Sequence, residues 1–231
     1  IIFPNSYDSL IPELVSERLM ASIPFAGRYR VCDFMLSSMV HSGIDNISLL
    51  VKHNYHSLMD HLGSGQEFDL ARKNGGLNIV PPFAQRQIKV YTGRIEALMS
   101  LKGYLNKCAQ KYGIMADSNY VFNFDFRELI EAHKKSGADI TMMYRRQEIP
   151  KAFLKPNSNY NELYYTLDTD GDKVEKIYIN AKDSGKVDFC MNIYIMEREK
   201  MLRLVDDAYV HGYSYFTRDL LAPNTQTLKI N

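Results

Sequence analysis

The side chains able to ligate a metal or attack a substrate are three cysteines, six histidines and a scatter of carboxylates. Cys32, Cys108 and Cys190 are widely spaced and form no C-x-x-C pair, so neither a disulfide framework nor a zinc site is expected. Cys32 and Cys190 stand in apolar strings and are expected in the core as free thiols, which fits a reduced, cytoplasmic setting. The histidines show no H-x-H or H-x-x-x-H spacing. His41, His53, His56 and His61 are therefore expected at the surface or in hydrogen bonds rather than on a metal. Asp125 follows a strand-like run and is expected to cap the helix after it.

The elements that must position such residues alternate between strand-like and helix-like patterns. Strands are expected over residues 1–4, 47–51, 77–80, 114–116 and 139–145, and helices over 29–42, 57–62, 93–110 and 126–135. Gly43 reads as a helix stop. Further on, residues 164–168 and 174–179 read as a hairpin around an Asp170-Gly171 turn, followed by a strand over 189–196 and a helix over 201–207. This rhythm argues for an α/β fold, Rossmann-like, with a mostly parallel mixed sheet covered by helices on both faces. Open sheets of that kind bind ligands at the carboxyl ends of strands, where strand order reverses. Residues 5–10, 81–93, 117–123 and 180–186 are the segments such a site would use.

The chain has 231 residues, 45% of them hydrophobic, and a formal net charge of +1. That is enough apolar material for one large domain. The near-zero charge gives no electrostatic reason to expect nucleic acid or a membrane surface as partner. No apolar run approaches the roughly 20 residues needed to span a bilayer, and no signal peptide is visible. The opening Ile1-Ile2-Phe3 reads as a strand under way, so residues are expected before it. Residues 222–231 read as the start of a linker after a domain over 1–221.

One run is specific. Arg18-Leu-Met-Ala-Ser-Ile-Pro-Phe-Ala-Gly-Arg-Tyr-Arg-Val-Cys-Asp33-Phe resembles R-A-K-P-A-V-P-F-G-G-K-Y-R-I-I-D-F of the glucose-1-phosphate adenylyltransferases (ADP-glucose pyrophosphorylases). Ser57-Leu-Met-Asp-His-Leu-Gly-Ser-Gly65 is similar to the family's S-L-x-x-H-(IL)-G-x-G, and Gly75-Gly-Leu-Asn-Ile-Val-Pro-Pro82 to G-G-V-x-I-L-P-P. Tyr91-Thr-Gly93-Arg-Ile-Glu96-Ala resembles Y-x-G-T-A-D-A, Ser136-Gly-Ala-Asp139 resembles S-G-A-D, and Phe216-Thr-Arg-Asp219 resembles F-G-K-D. The matches run in family order. They imply a nucleotide-diphospho-sugar transferase fold, with a left-handed β-helix domain expected to follow.

The family joins glucose 1-phosphate to ATP and releases pyrophosphate. Both reactants are anions, so catalysis is mostly positioning and charge neutralisation. On the family pattern the glycine-rich phosphate loop falls on Asn5, Ser6, Asp8 and Leu10, with Leu10 at the arginine position and no glycine left to let the backbone approach phosphate. The family lysine of R-A-K-P falls on Met20. The first magnesium ligand falls on Asn119; Asp117 shares its strand face but is set back by about 6.6 Å. Asp219 stands at the second ligand as a possible remnant. The sugar-phosphate lysine falls on Asn180, with Lys182 as a substitute if the loop slips. Asn5, Ser6, Tyr91, Gly93 and Glu96 form a vestigial nucleotide site.

The resemblance therefore implies a non-catalytic or weakly catalytic GlgD-type regulatory subunit. No cofactor is expected for this chain, and Mg²⁺ is assigned to its partner. That partner would be a catalytic paralogous subunit in a hetero-oligomer, a tetramer, in bacterial glycogen synthesis, with a small-molecule effector as a further ligand. Two rivals stand beside this reading. One is an active enzyme with a site rearranged around Asp117, Asp219 and Lys182; the other is a domain that senses a sugar phosphate or nucleotide without chemistry.

Overall fold

The computed structural model describes residues 1–73, 75–82, 90–154, 163–182 and 185–231. Parts of the segments 81–93 and 180–186 therefore lie outside the described residues. The chain forms two compact units, Ile1–Val90 with Met115–Glu128, and Tyr91–Ile114 with Leu129–Asn231.

The first unit carries the parallel part of the sheet. β1 (Ile2–Phe3) is followed by the short hairpin β2 (Pro24–Phe25) and β3 (Tyr29–Arg30), then α1 (Val31–His41), β4 (Asn46–Leu50), α2 (His56–Leu62) and β5 (Gly76–Val80). β6 (Tyr112–Asp117) contributes its residues from Met115 onward. The strand order is β5-β4-β1-β6, every pair parallel. The chain leaves β1 toward β4 and β5 on one side and returns to β6 on the other. The loops after β1 and β6 thus sit at a point of strand-order reversal, where α/β sheets bind ligands. Ile2, Leu49, Leu50, Met35, Leu36, Met39 and Leu58 are buried in the core of this unit.

Local chemistry sets the ends of α1. The Arg30 amide donates to Asp33 Oδ2 at 2.9 Å, satisfying a donor at the helix start. Gly43, at φ 79, lets its own amide and that of Ile44 return to Val40 and Met39. Asp125 Oδ1 accepts the Arg127 amide at 2.9 Å, the cap expected before α4 (Phe126–Ser136).

The second unit is antiparallel. β10 (Lys186–Glu197) pairs with β7 (Ile140–Glu148) and β8 (Tyr165–Asp170), and β9 (Lys173–Ile179) completes the hairpin with β8. α3 (Arg94–Leu105) packs on α5 (Arg198–Val210), and Lys102 reaches Asp206 at 2.6 Å. The helix expected over 93–110 thus ends five residues early, at 105 rather than 110. The Arg198 guanidinium donates to the Leu105 and Gln110 carbonyls there, both at 3.0 Å. Residues 222–231, read as the start of a linker, are tied into this unit at their far end. Ile230 is fully buried and bridges Ile140, and the Asn231 amide donates to the Ile140 carbonyl at 2.9 Å. The α/β class with a mixed sheet is as expected, and no helix among the described residues is long and apolar enough to cross a membrane.

His133 is buried on α4, with Nδ1 2.8 Å from Thr141 Oγ1 and its ring edge-on to Tyr112. Burial lowers its pKa below 6.5, against the opposing pull of Glu197 and Asp139. The unfolded chain therefore binds a proton before the folded one does. The stabilisation is complete above the unfolded value and is lost as pH falls through it. Urea melts between pH 7.5 and 5 should show stability declining with acidification, and His133→Gln should flatten that decline.

Candidate functional site

The loop after β1 is the one the family pattern assigns to phosphate. Asn5 Nδ2 donates to Asp8 Oδ2 at 2.8 Å and to the His53 carbonyl at 3.2 Å, while Asn5 Oδ1 accepts the Lys52 amide at 2.8 Å. Asp8, 8% exposed, accepts the Met20 amide on Oδ1 at 2.6 Å. Tyr7 takes a left-handed φ of 67, and Asp8–Leu10 close a 3₁₀ turn behind it. The amides of Ser6, Asp8, Leu10 and Ile11 donate to carbonyls of residues 3, 5, 7 and 8. A phosphate-cradling loop presents such amides to the ligand; here they are spent inside the loop. Leu10 brings no charge, and Met20 puts a thioether where the family pattern has an ammonium.

At the end of β6, Asp117 is fully buried, and its Oδ1 accepts the Ser6 hydroxyl at 2.5 Å. The structure joins Ser6 to Asp117 across 111 residues, a pairing that sequence reasoning missed. Next come Ser118, 1% exposed, and Asn119. Among the described residues, Ser118 Oγ and Asn119 Oδ1 are buried without a hydrogen-bond partner.

The second unit holds the remaining predicted residues. Tyr91 is buried, and burial pushes its phenol well up. Gly93 starts α3 against the backbone of Ser214; a Cβ there would sit 2.0 Å from the Ser214 carbonyl oxygen. Glu96 Oε2 accepts the Thr92 amide at 2.7 Å and caps the same helix. These three residues thus have core, close-approach and capping roles in this unit.

Asp219 lies in a π-helical turn, Phe216–Leu221. Its Oδ2 accepts the Ser214 and Tyr215 amides at 3.1 and 2.9 Å, and its Oδ1 accepts Arg218 Nε at 2.6 Å. Burial alone would raise its pKa; the Arg218 guanidinium and the two amides outweigh it and hold the carboxyl below the usual range. Asn180, at φ 52, closes the β8–β9 hairpin by exchanging two 3.0 Å hydrogen bonds with the Tyr164 backbone. Lys182 is exposed.

A buried network here was not foreseen from sequence. Asn192 breaks the pairing of β10 with a bulge at φ 54 and accepts the Tyr194 hydroxyl at 2.8 Å; that hydroxyl also lies 2.6 Å from Thr217 Oγ1. The Arg94 guanidinium lies over the Tyr194 ring, 5.7 Å from its centre. An asparagine inside an apolar strand was the available signal, because asparagine is depleted in strands and tolerates left-handed backbone.

Residues 13–153 match the family described as nucleotidyl transferase. The chain belongs to the nucleotidyl transferase family. Within that family it is similar to the glycogen biosynthesis protein GlgD of Bacillus subtilis, 30% identical over 191 residues, which are 82% of this chain and 55% of that protein. GlgD of Geobacillus stearothermophilus is 35% identical over 163 residues, 68% of this chain and 46% of that protein. Glucose-1-phosphate adenylyltransferase of Bacillus mycoides is 29% identical over 135 residues, 58% of this chain and 36% of that protein. The chain spans about half the length of the GlgD proteins it matches. The nucleotidyl transferase match begins at residue 13, beyond the altered loop over 5–10.

Because Gly93 is fixed by contact with Ser214, Gly93→Ala should destabilise this nucleotidyl transferase relative by about 3 kcal/mol in chemical denaturation. Gly103→Ala, in α3 with open space around its Cβ position, should be neutral or stabilising.

Proposed function

We propose that this chain is a non-catalytic regulatory subunit of a bacterial glucose-1-phosphate adenylyltransferase, acting in glycogen biosynthesis beside a catalytic paralogue. The observation that carries the reading is the loop after β1, whose amides donate to its own carbonyls and whose Asp8 carboxylate accepts the Asn5 side chain and the Met20 amide. In the family reaction a phosphate oxygen of glucose 1-phosphate attacks the α-phosphorus of ATP, and pyrophosphate leaves. That step needs fixed donors and cations around two polyanions. Here the loop offers a carboxylate, and Leu10, Met20 and Asn180 offer no charge.

Magnesium does not fit these residues. Asn119 contributes a neutral amide where the family pattern has a carboxylate, and Asp219 is committed to two amides and Arg218. The similarity to GlgD proteins supports the glycogen context, and the buried thiols of Cys32 and Cys190 accord with a cytoplasmic location. The proposed assembly is a hetero-oligomer, a tetramer, responsive to a small-molecule effector.

A second reading has its own observation. Buried polar atoms without partners are uncommon, and the orphaned Ser118 Oγ and Asn119 Oδ1 stand where a ligand would satisfy them. On this reading the domain binds a sugar phosphate or nucleotide without turning it over.

Each lost charge contact lowers turnover by about 10²–10³. The full-length protein alone should make ADP-glucose more than about 10³-fold slower than its catalytic paralogue. Mixing the two should change the paralogue's rate or effector response. Comparable turnover by the isolated protein, or a mixture behaving as the paralogue alone, would refute the regulatory reading. Calorimetry with glucose 1-phosphate, ATP and ADP-glucose separates the second reading, which heat from none of the three would remove.

A further inference from the structure

Away from the loop after β1, three metal-ligating side chains of different chemistry converge in the first unit. Cys32 and Asp33 stand on the first turn of α1, and His61 stands on the last turn of α2. His61 Nε2 lies 2.7 Å from Asp33 Oδ1, and Cys32 Sγ lies 3.5 Å from the same oxygen. One ligand atom from each residue lies within 4.8 Å of the other two. We propose that Cys32, Asp33 and His61 form a three-ligand site for a divalent, borderline-soft cation of the zinc class.

Size, charge and ligand type agree on that class. A tetrahedral ion bonded at about 2.0–2.3 Å separates its ligand atoms by about 3.3–3.8 Å. The sulfur–oxygen distance already matches, and modest side-chain rotation adjusts the other two. A thiolate and a carboxylate neutralise a divalent ion where Cys32 and Asp33 are 1% and 7% exposed. The sulfur and imidazole donors select zinc over magnesium, which prefers oxygen ligands.

The surroundings provide support and access. The Arg30 amide holds Asp33 Oδ2 at 2.9 Å, the kind of outer contact that orients a ligating carboxylate. The Arg30 guanidinium is engaged by the Ser22 and Ser57 carbonyls and by the Ser57 hydroxyl. The His61 side chain is 21% exposed, which leaves a route for the ion and room for a solvent ligand. Binding replaces the His61–Asp33 hydrogen bond by two bonds to the metal and releases the Cys32 thiol proton to solvent. The site would tie α1 to α2 whatever the role of the chain in regulation.

The test is a Co²⁺ titration of the metal-free full chain, followed by Zn²⁺. One equivalent of Co²⁺ should give a near-ultraviolet sulfur-to-cobalt charge-transfer band that one equivalent of Zn²⁺ abolishes. Cys32→Ser should lose the band, and Cys108→Ser and Cys190→Ser should keep it. If Cys32→Ser disturbs the buried helix turn, His61→Gln at the half-open position serves instead and should weaken affinity about tenfold or more. No band with the unaltered chain, a band that survives Cys32→Ser, or an affinity unchanged in His61→Gln would each overturn the site and leave Asp33–His61 as a hydrogen bond alone.

Discussion

Asp8 decides what the loop after β1 can hold. One of its oxygens takes the Met20 amide and the other takes the Asn5 side chain. A carboxylate and a phosphate are both pure acceptors, so they compete for the same donors and repel each other. With Asp8 nearly buried and fully engaged, the loop is already occupied by its own anion. The turns at Ser6, Asp8, Leu10 and Ile11 close on the loop's own carbonyls, and the Ser6 hydroxyl donates to Asp117.

The second unit shows the same economy in different residues. Asp219 is bound by two amides and Arg218, Asn180 by the Tyr164 backbone, and Asn192 by the Tyr194 hydroxyl. Leaving a buried polar group unsatisfied costs about 1–3 kcal/mol. Polar positions inside this unit are therefore stable when they find partners within the fold. Ser118 Oγ and Asn119 Oδ1, side by side after β6, are among the described atoms that depart from this pattern, and their position after a parallel strand carries the ligand-sensing alternative.

Much of the first unit was legible because its strands are short apolar runs and its helices are bounded by Gly43 and Gly63. Other features depended on distant partners. The carbonyls at and beyond the end of α3 are held by Arg198, far along the chain, beside the local stop at Asn106. The backbone of Gly93 lies against Ser214, a contact that spacing within a motif does not encode. The bulge at Asn192 lengthens β10 and turns a polar side chain inward, where an apolar string suggested only a strand.

By itself the sequence determined family membership and which functional groups are absent: no glycine in the loop over 5–10, no cation at Leu10, Met20 or Asn180, no carboxylate at Asn119. Residue type settles those points, because a methionine cannot carry charge and an asparagine cannot ionise in any fold. Only the tertiary structure decided what the remaining groups do instead. It set Ser6 on Asp117, and brought His61 to Cys32 and Asp33 from the next helix. Hydrogen bonds and metal ligation act over about 2–3 Å, so their partners are chosen by packing between elements rather than by order along the chain.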